Sequence, residues 1–142
     1  MGAPAVRWVV MGVSGCGKSA VGSRLADALG VPYVEGDELH PPANVAKMAA
    51  GSPLDDADRA GWLAALRDRI ATARAQGSGL VVSCSALKRA YRDLLRSGDP
   101  ALRFVHLDGP RAVLAQRMQR PGHFMPPSLL DSQLATLQPL QA

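Results

Sequence analysis

The chain has 142 residues, 47% hydrophobic and 20% charged, with 16 Lys and Arg against 12 Asp and Glu for a formal charge of +4. This length suits one domain spanning residues 1–142 and is too short for two, and the composition is that of a globular protein. Aromatic residues make up 4% and no five-residue basic run occurs, which argues against nucleic-acid binding, and no apolar run approaches membrane-spanning length.

Val6–Met11 is a continuous apolar run and predicts a central strand buried on both faces. Gly12 to Ser19 follows as Gly-Val-Ser-Gly-Cys-Gly-Lys-Ser, matching the phosphate-loop pattern G-x-x-x-x-G-K-[ST] at every fixed position. Its glycines allow successive backbone N–H groups to point into one concavity, which opens onto a helix N-terminus that favours an anion. Gly12, Val13, Ser14, Gly15, Cys16, Gly17, Lys18, Ser19 and Ala20 are therefore expected to cradle the phosphates of a nucleotide. Lys18 would reach the β- and γ-phosphates, and the Ser19 hydroxyl would hold Mg²⁺.

Lys18–Leu29 predicts a helix with Val21, Leu25 and Leu29 on its apolar face, ended by Gly30. Pro32–Glu35 predicts a short second strand and Pro41–Ala50 a helix. After the Gly51-Ser52-Pro53 break, Asp55 and Asp58 resemble a capping pair for a helix carrying Trp62, Leu63, Leu66, Ile70 and Ala73 at a period near 3.6. Leu80–Ser83 reads as a third strand, Ala86–Arg96 as a helix with Leu87, Tyr91, Leu94 and Leu95 inward, and Arg103–Leu107 as a fourth strand. A helix from Pro110 to about Arg120, a loop over Pro121–Pro127 and a last helix from Ser128 to Leu137 complete the chain. Strands alternating with helices imply a parallel sheet. The two cysteines, Cys16 and Cys84, lack metal-ligand spacing and read as reduced thiols, and no signal-peptide pattern opens the chain, so a cytoplasmic protein is expected.

Ligands in such sheets bind beyond the carboxyl ends of the strands. Just past strand two, Glu35 and Asp37 flank a glycine, and on an extended segment they would point to one side. Phosphoryl transfer to an alcohol needs a carboxylate to take the hydroxyl proton, a role that suits Asp37, and an anion near Mg²⁺, which suits Glu35. A solvated acidic turn is the alternative. Lys88 and Arg92 stand four apart on the predicted helix, and Arg59 near the start of the long one; they would hold an anionic substrate or form an exposed basic face. Arg89 and Asp93 read as a surface pair. Arg117 and Arg120 precede the Pro/Gly-rich segment, a lid over about residues 118–127, and would stabilise transition-state charge or answer a helix dipole. His40 and His123 are candidate donors to a polyhydroxy substrate, whereas Trp8 and Trp62 read as core.

Met11–Ser19, Gly36-Asp37 with His40-Pro41, Asn44, Lys47-Met48, Gly51, Pro53-Leu54, Asp58-Arg59 and Trp62-Leu63 resemble the bacterial-type gluconokinase family. Cys84-Ser85-Ala86-Leu87-Lys88 with Tyr91–Arg96, Gly122-His123-Phe124-Met125, Ser132-Gln133 and Thr136-Leu137 continue the resemblance across nearly the whole chain. It implies ATP-dependent, Mg²⁺-assisted phosphorylation of the terminal hydroxyl of D-gluconate to 6-phospho-D-gluconate, with the acceptor region over about residues 37–76. It also implies a P-loop three-layer α/β/α fold with a nucleoside-monophosphate-kinase- or shikimate-kinase-like parallel sheet of order 2-3-1-4-5, and it leaves a homodimer open. Glu35 stands where the family more often has Asp. The family pattern continues past Gln138-Pro139 by about one strand and one helix, so a C-terminally shortened form lacking the fifth strand and last helix is expected. Two alternatives stay open: a kinase for another small acceptor such as shikimate or a nucleoside monophosphate, and a nucleotide-binding remnant of low activity.

Overall fold

The computed structural model describes residues 5–12, 17–107 and 133–137. In chain order it contains β1 (Arg7–Met11), α1 (Lys18–Leu29), β2 (Tyr33–Glu35), a 3-10 turn (Gly36–Leu39), α2 (Pro42–Ala49), α3 (Asp56–Ala75), β3 (Leu80–Cys84), α4 (Arg89–Arg96) and β4 (Arg103–His106). One further helical turn covers residues 133–136. The sheet is parallel with order β2-β3-β1-β4, and Val9 pairs with Val82 on one side and Phe104 on the other. The four described strands thus take the expected relative order. The helix expected from Pro110, the Pro121–Pro127 loop and the start of the last helix lie outside the described residues.

Alternation along the buried strands feeds two cores. Val9, Met11, Leu80, Val82, Cys84 and Val34 face α3 and α4, where Trp62, Leu63, Leu66, Ile70, Tyr91 and Leu95 close over them. Val10 and Val81 face the other way and meet Ala26, with Trp8, Leu25, Val31 and Tyr33 packed around them. The expected capping box is present at α3: Asp55 accepts from the Asp58 N–H at 2.8 Å, and Asp58 accepts from the Asp55 N–H at 2.9 Å.

Two helices depart from the sequence reading. The α1 residues buried on the sheet are Lys18, Gly22 and Ala26, while Val21 and Leu29 are exposed. Small residues face the sheet there because the helix lies too close for branched ones: a Cβ at Gly22 would come within 2.6 Å of Ser83 Oγ. Helix α4 begins at Arg89 rather than Ala86, because Ala86 takes φ 38°, a left-handed conformation that a helix cannot include.

Gly36 closes the link between fold and site. A Cβ there would sit 2.2 Å from the Ser83 carbonyl oxygen and 2.9 Å from Cys84 Cβ. Backbone cannot yield as a side-chain tip can, so Gly36→Ala is expected to destabilise by ~1–3 kcal/mol through overpacking. A lowered urea midpoint in that variant checks this.

Candidate active site

Gly12 leaves β1 with φ 153°, and Gly17, at φ 91°, caps α1 without a side-chain hydrogen bond. The first-turn N–H groups of α1 therefore receive no hydrogen bond from a cap side chain. Lys18 is buried, and its Nζ donates to the Gly12 carbonyl at 3.0 Å, bringing the ammonium back to the end of β1. Ser19 Oγ donates to Glu35 Oε2, joining α1 to the end of β2. Val13, Ser14, Gly15 and Cys16 lie outside the described residues.

Beyond β2 the chain is not extended as the sequence reading has it. Gly36–Leu39 turns as a 3-10 helix, so Glu35 closes the strand while half-buried Asp37 sits in the first turn of the next element. The reason is tertiary: Trp62 on α3 donates its indole N–H to the Gly36 carbonyl at 2.8 Å and pulls the backbone toward the core. Cys84, at the carboxyl end of β3, reports what gathers there. Burial, and then the Asp37 and Glu35 charges, push its thiol up to about 12 against the opposing pull of Lys18. The thiol is thus inert, and the charges of the lysine and of both carboxylates reach it at one end of the sheet.

His40 is buried and stacks on Trp62, with ring centroids 4.1 Å apart and planes 16° apart. Asn44 Nδ2 donates to the Asp58 carbonyl at 2.8 Å, which fixes the amide orientation, and the same nitrogen faces His40 Nδ1 at 3.2 Å. Nδ1 must therefore accept, and the neutral ring carries its proton on Nε2 as a donor. Burial, helped by the nearby Arg59 charge, lowers this histidine from 6.5 to about 4. Below pH 6.5 the unfolded chain then binds a proton that the folded chain refuses until about pH 4. Thermal stability is expected to fall with pH across that window, and His40→Gln to flatten the slope. Asp56, Asp58 and Asp99, held low by their partners, add acid sensitivity as pH falls through their ordinary 3.8 and below.

On the α3–α4 side, Tyr91 organises charge. Arg59 donates to the Tyr91 hydroxyl at 2.8 Å, the hydroxyl donates to Asp56 Oδ1, and Lys88 Nζ reaches the same oxygen at 2.9 Å. Arg59 and Lys88 also lie over the Tyr91 ring, 5.4 and 5.6 Å from its centroid. Among the described residues Arg59 has no carboxylate within ion-pair distance.

Lys88 and Arg92 do not share a helical patch. Lys88 is the N-cap of α4 and partly exposed. Arg92 is buried and donates to the carbonyls of Ala86 and Leu87 at 2.9 and 3.3 Å, supporting the left-handed turn that presents Lys88. The Arg89–Asp93 surface pair is present at 4.0 Å.

Sequence reasoning missed Tyr33, Ser83 and Asp56, singled out Asn44 only as part of the family resemblance, and read Trp62 and Tyr91 only as apolar packing. Both aromatics are buried as expected, but the partners of their polar tips come from distant segments and leave no sequence signal. Arg117, Arg120 and His123, with the whole 118–127 segment, lie outside the described residues.

The shikimate kinase family profile matches residues 14–138. A gluconokinase of Gluconobacter oxydans is 57% identical over 131 residues, covering 92% of this chain and 74% of that protein. A gluconokinase structure from Sinorhizobium meliloti superposes with TM-score 0.84 at 55% identity, covering 96% of this chain and 76% of that one. An unliganded sugar kinase from Janibacter superposes with TM-score 0.92 at 49% identity, covering 97% and 80%.

Proposed function

The chain belongs to the gluconokinase family, and from that premise we propose that it transfers the γ-phosphoryl group of ATP to the terminal hydroxyl of D-gluconate. The observation that carries this reading is the convergence of Lys18, the Ser19–Glu35 pair and Asp37 at the carboxyl ends of parallel strands. That is where such sheets bind ligands.

The residues divide the work as follows. The loop from Gly12 to Ala20 and the Lys18 ammonium hold the phosphates. Ser19 and Glu35 offer adjacent oxygen atoms, the hard donors that Mg²⁺ takes, so the pair fits this ion. When bound there, Mg²⁺ would neutralise charge on the β- and γ-phosphate oxygens. Asp37 accepts the proton of the terminal hydroxyl as that oxygen bonds to the γ-phosphorus. The bond from that phosphorus to the bridging oxygen breaks, and ADP departs with the electron pair.

Gluconate is a monoanion with a polyol chain. Arg59 and Lys88 suit its carboxylate, and the Nε2–H of His40 suits a hydroxyl. Arg92 serves that end by supporting the turn of Lys88. Arg117, Arg120 and His123 complete the assignment as lid residues on the strength of their sequence positions. Cytoplasmic residence, where ATP and reduced thiols occur, belongs to the same reading and is supported by the buried free thiol of Cys84.

A coupled ADP assay with gluconate, shikimate and AMP as acceptors tests the assignment. Gluconate is expected to be strongly preferred; preference for either of the others overturns it.

A further inference from the structure

The carboxylate beside Ser19 belongs to a longer side chain than the aspartate that the resemblance leads one to expect, and a longer side chain has one more torsion to fix. Tyr33 and Glu35 stand two apart on β2, so their side chains lie on the same face of the strand. The Tyr33 hydroxyl donates to Glu35 Oε2 at 2.8 Å, the oxygen that also accepts from Ser19. The same hydroxyl lies 2.7 Å from Ser83 Oγ, and Ser83, fully buried on β3, reaches the Lys18 main-chain carbonyl at 3.2 Å.

Counting protons orders this chain. An ionised carboxylate only accepts, so the phenolic proton goes to Glu35, and the Ser83 proton is left to serve the phenol oxygen and the Lys18 carbonyl. Two hydroxyls thus tie the tip of Glu35 to β3 and to the first residue of α1. The packing makes room for them: a Cβ at Gly22 would meet Ser83 Oγ at 2.6 Å and Tyr33 Cε1 at 2.7 Å, so any larger residue there would push the pair out of place.

We propose that Tyr33 is the positioning residue for Glu35, its hydroxyl holding the longer carboxylate at the place where the phosphate-loop serine and the metal need it. This rests on the reading of Glu35 as a metal-side carboxylate. In this role Tyr33 acts through Glu35, not on the substrate. It does for the glutamate what a shorter aspartate would achieve by its length alone.

The test measures Mn²⁺ binding by electron paramagnetic resonance in the presence of ADP, alongside Mg²⁺-dependent turnover. It uses the full chain and its Tyr33→Phe, Glu35→Asp, Glu35→Gln and Tyr33→Phe/Glu35→Asp variants. Loss of a hydrogen bond to a metal-ligating carboxylate is expected to weaken Mn²⁺ about tenfold in Tyr33→Phe. The Mg²⁺ concentration for half-maximal rate should rise similarly, with the KM for gluconate unchanged. In the Glu35→Asp background the same exchange should change Mn²⁺ affinity less than about twofold, because the shorter carboxylate no longer reaches the phenol. Phenylalanine keeps the ring against Gly22. Ser83→Ala, which removes the far hydroxyl, should give a smaller loss of the same kind. Unaltered Mn²⁺ binding in Tyr33→Phe, or an equal loss in both backgrounds, overturns the proposal. If Glu35→Gln weakens Mn²⁺ while Tyr33→Phe does not, the positioning role alone fails. If Glu35→Gln leaves Mn²⁺ untouched, the metal assignment fails and takes the proposal with it.

Discussion

Asp37→Asn is expected to lower kcat for gluconate phosphorylation by ~10²–10⁴-fold, the range for loss of a positioned general base. The amide is nearly the same size and can still occupy the 3-10 turn, so the KM for gluconate should move little and the melting temperature should hold. That split is the informative part. An interaction made only as the proton leaves the hydroxyl lowers kcat and kcat/KM together, whereas a residue that merely binds the polyol raises KM. Single-turnover rates measured with saturating ATP read the chemical step directly. An Asp37→Asn enzyme with wild-type kcat would remove this residue from the role of base.

Trp62→Ala carries the largest expected cost in stability, ~3–5 kcal/mol for truncating a buried aromatic, against a total of ~5–15 kcal/mol for a domain of this kind. The indole is 1% exposed and lies in the core between α3 and the sheet. Its removal opens a cavity, releases the Gly36 carbonyl that its N–H holds, and takes away the surface on which His40 stacks. Both ends of the 3-10 turn carrying Asp37 are therefore loosened at once. The protein should unfold at a markedly lower urea concentration, and activity should fall even where it remains folded. Trp62→Phe separates the two effects: it retains most of the packing but leaves the Gly36 oxygen unsatisfied, for a cost of ~1–3 kcal/mol.

The sheet was legible because its signals are local. Apolar runs at Val6–Met11 and Leu80–Ser83 sit between helical periods, and the Asp55–Asp58 cap needs only a spacing of three. The phosphate loop is likewise written into contiguous residues. What the sequence hid depends on distance between chain segments. The apolar stripe Val21, Leu25, Leu29 looks like the buried face of α1, yet the close approach of Ser83 and Tyr33 gives that place to Gly22 and Ala26. Lys88 and Arg92 look like one cationic patch, yet the left-handed Ala86 starts the helix late and draws Arg92 inward as its support. Glu35 and Asp37 look like neighbours on an extended segment, yet an indole from α3 turns the backbone between them. In the first and third cases a contact across more than fifteen residues overrides a local pattern, and in the second a hydrogen bond over six residues does so.

Phosphorus-31 NMR of the reaction with ATP, Mg²⁺ and gluconate tests the central claim most directly. A phosphomonoester resonance coupled to the two protons of the terminal carbon of gluconate, growing in step with ADP, is expected. ADP accompanied only by inorganic phosphate, or a phosphoryl group elsewhere on the acid, would contradict it.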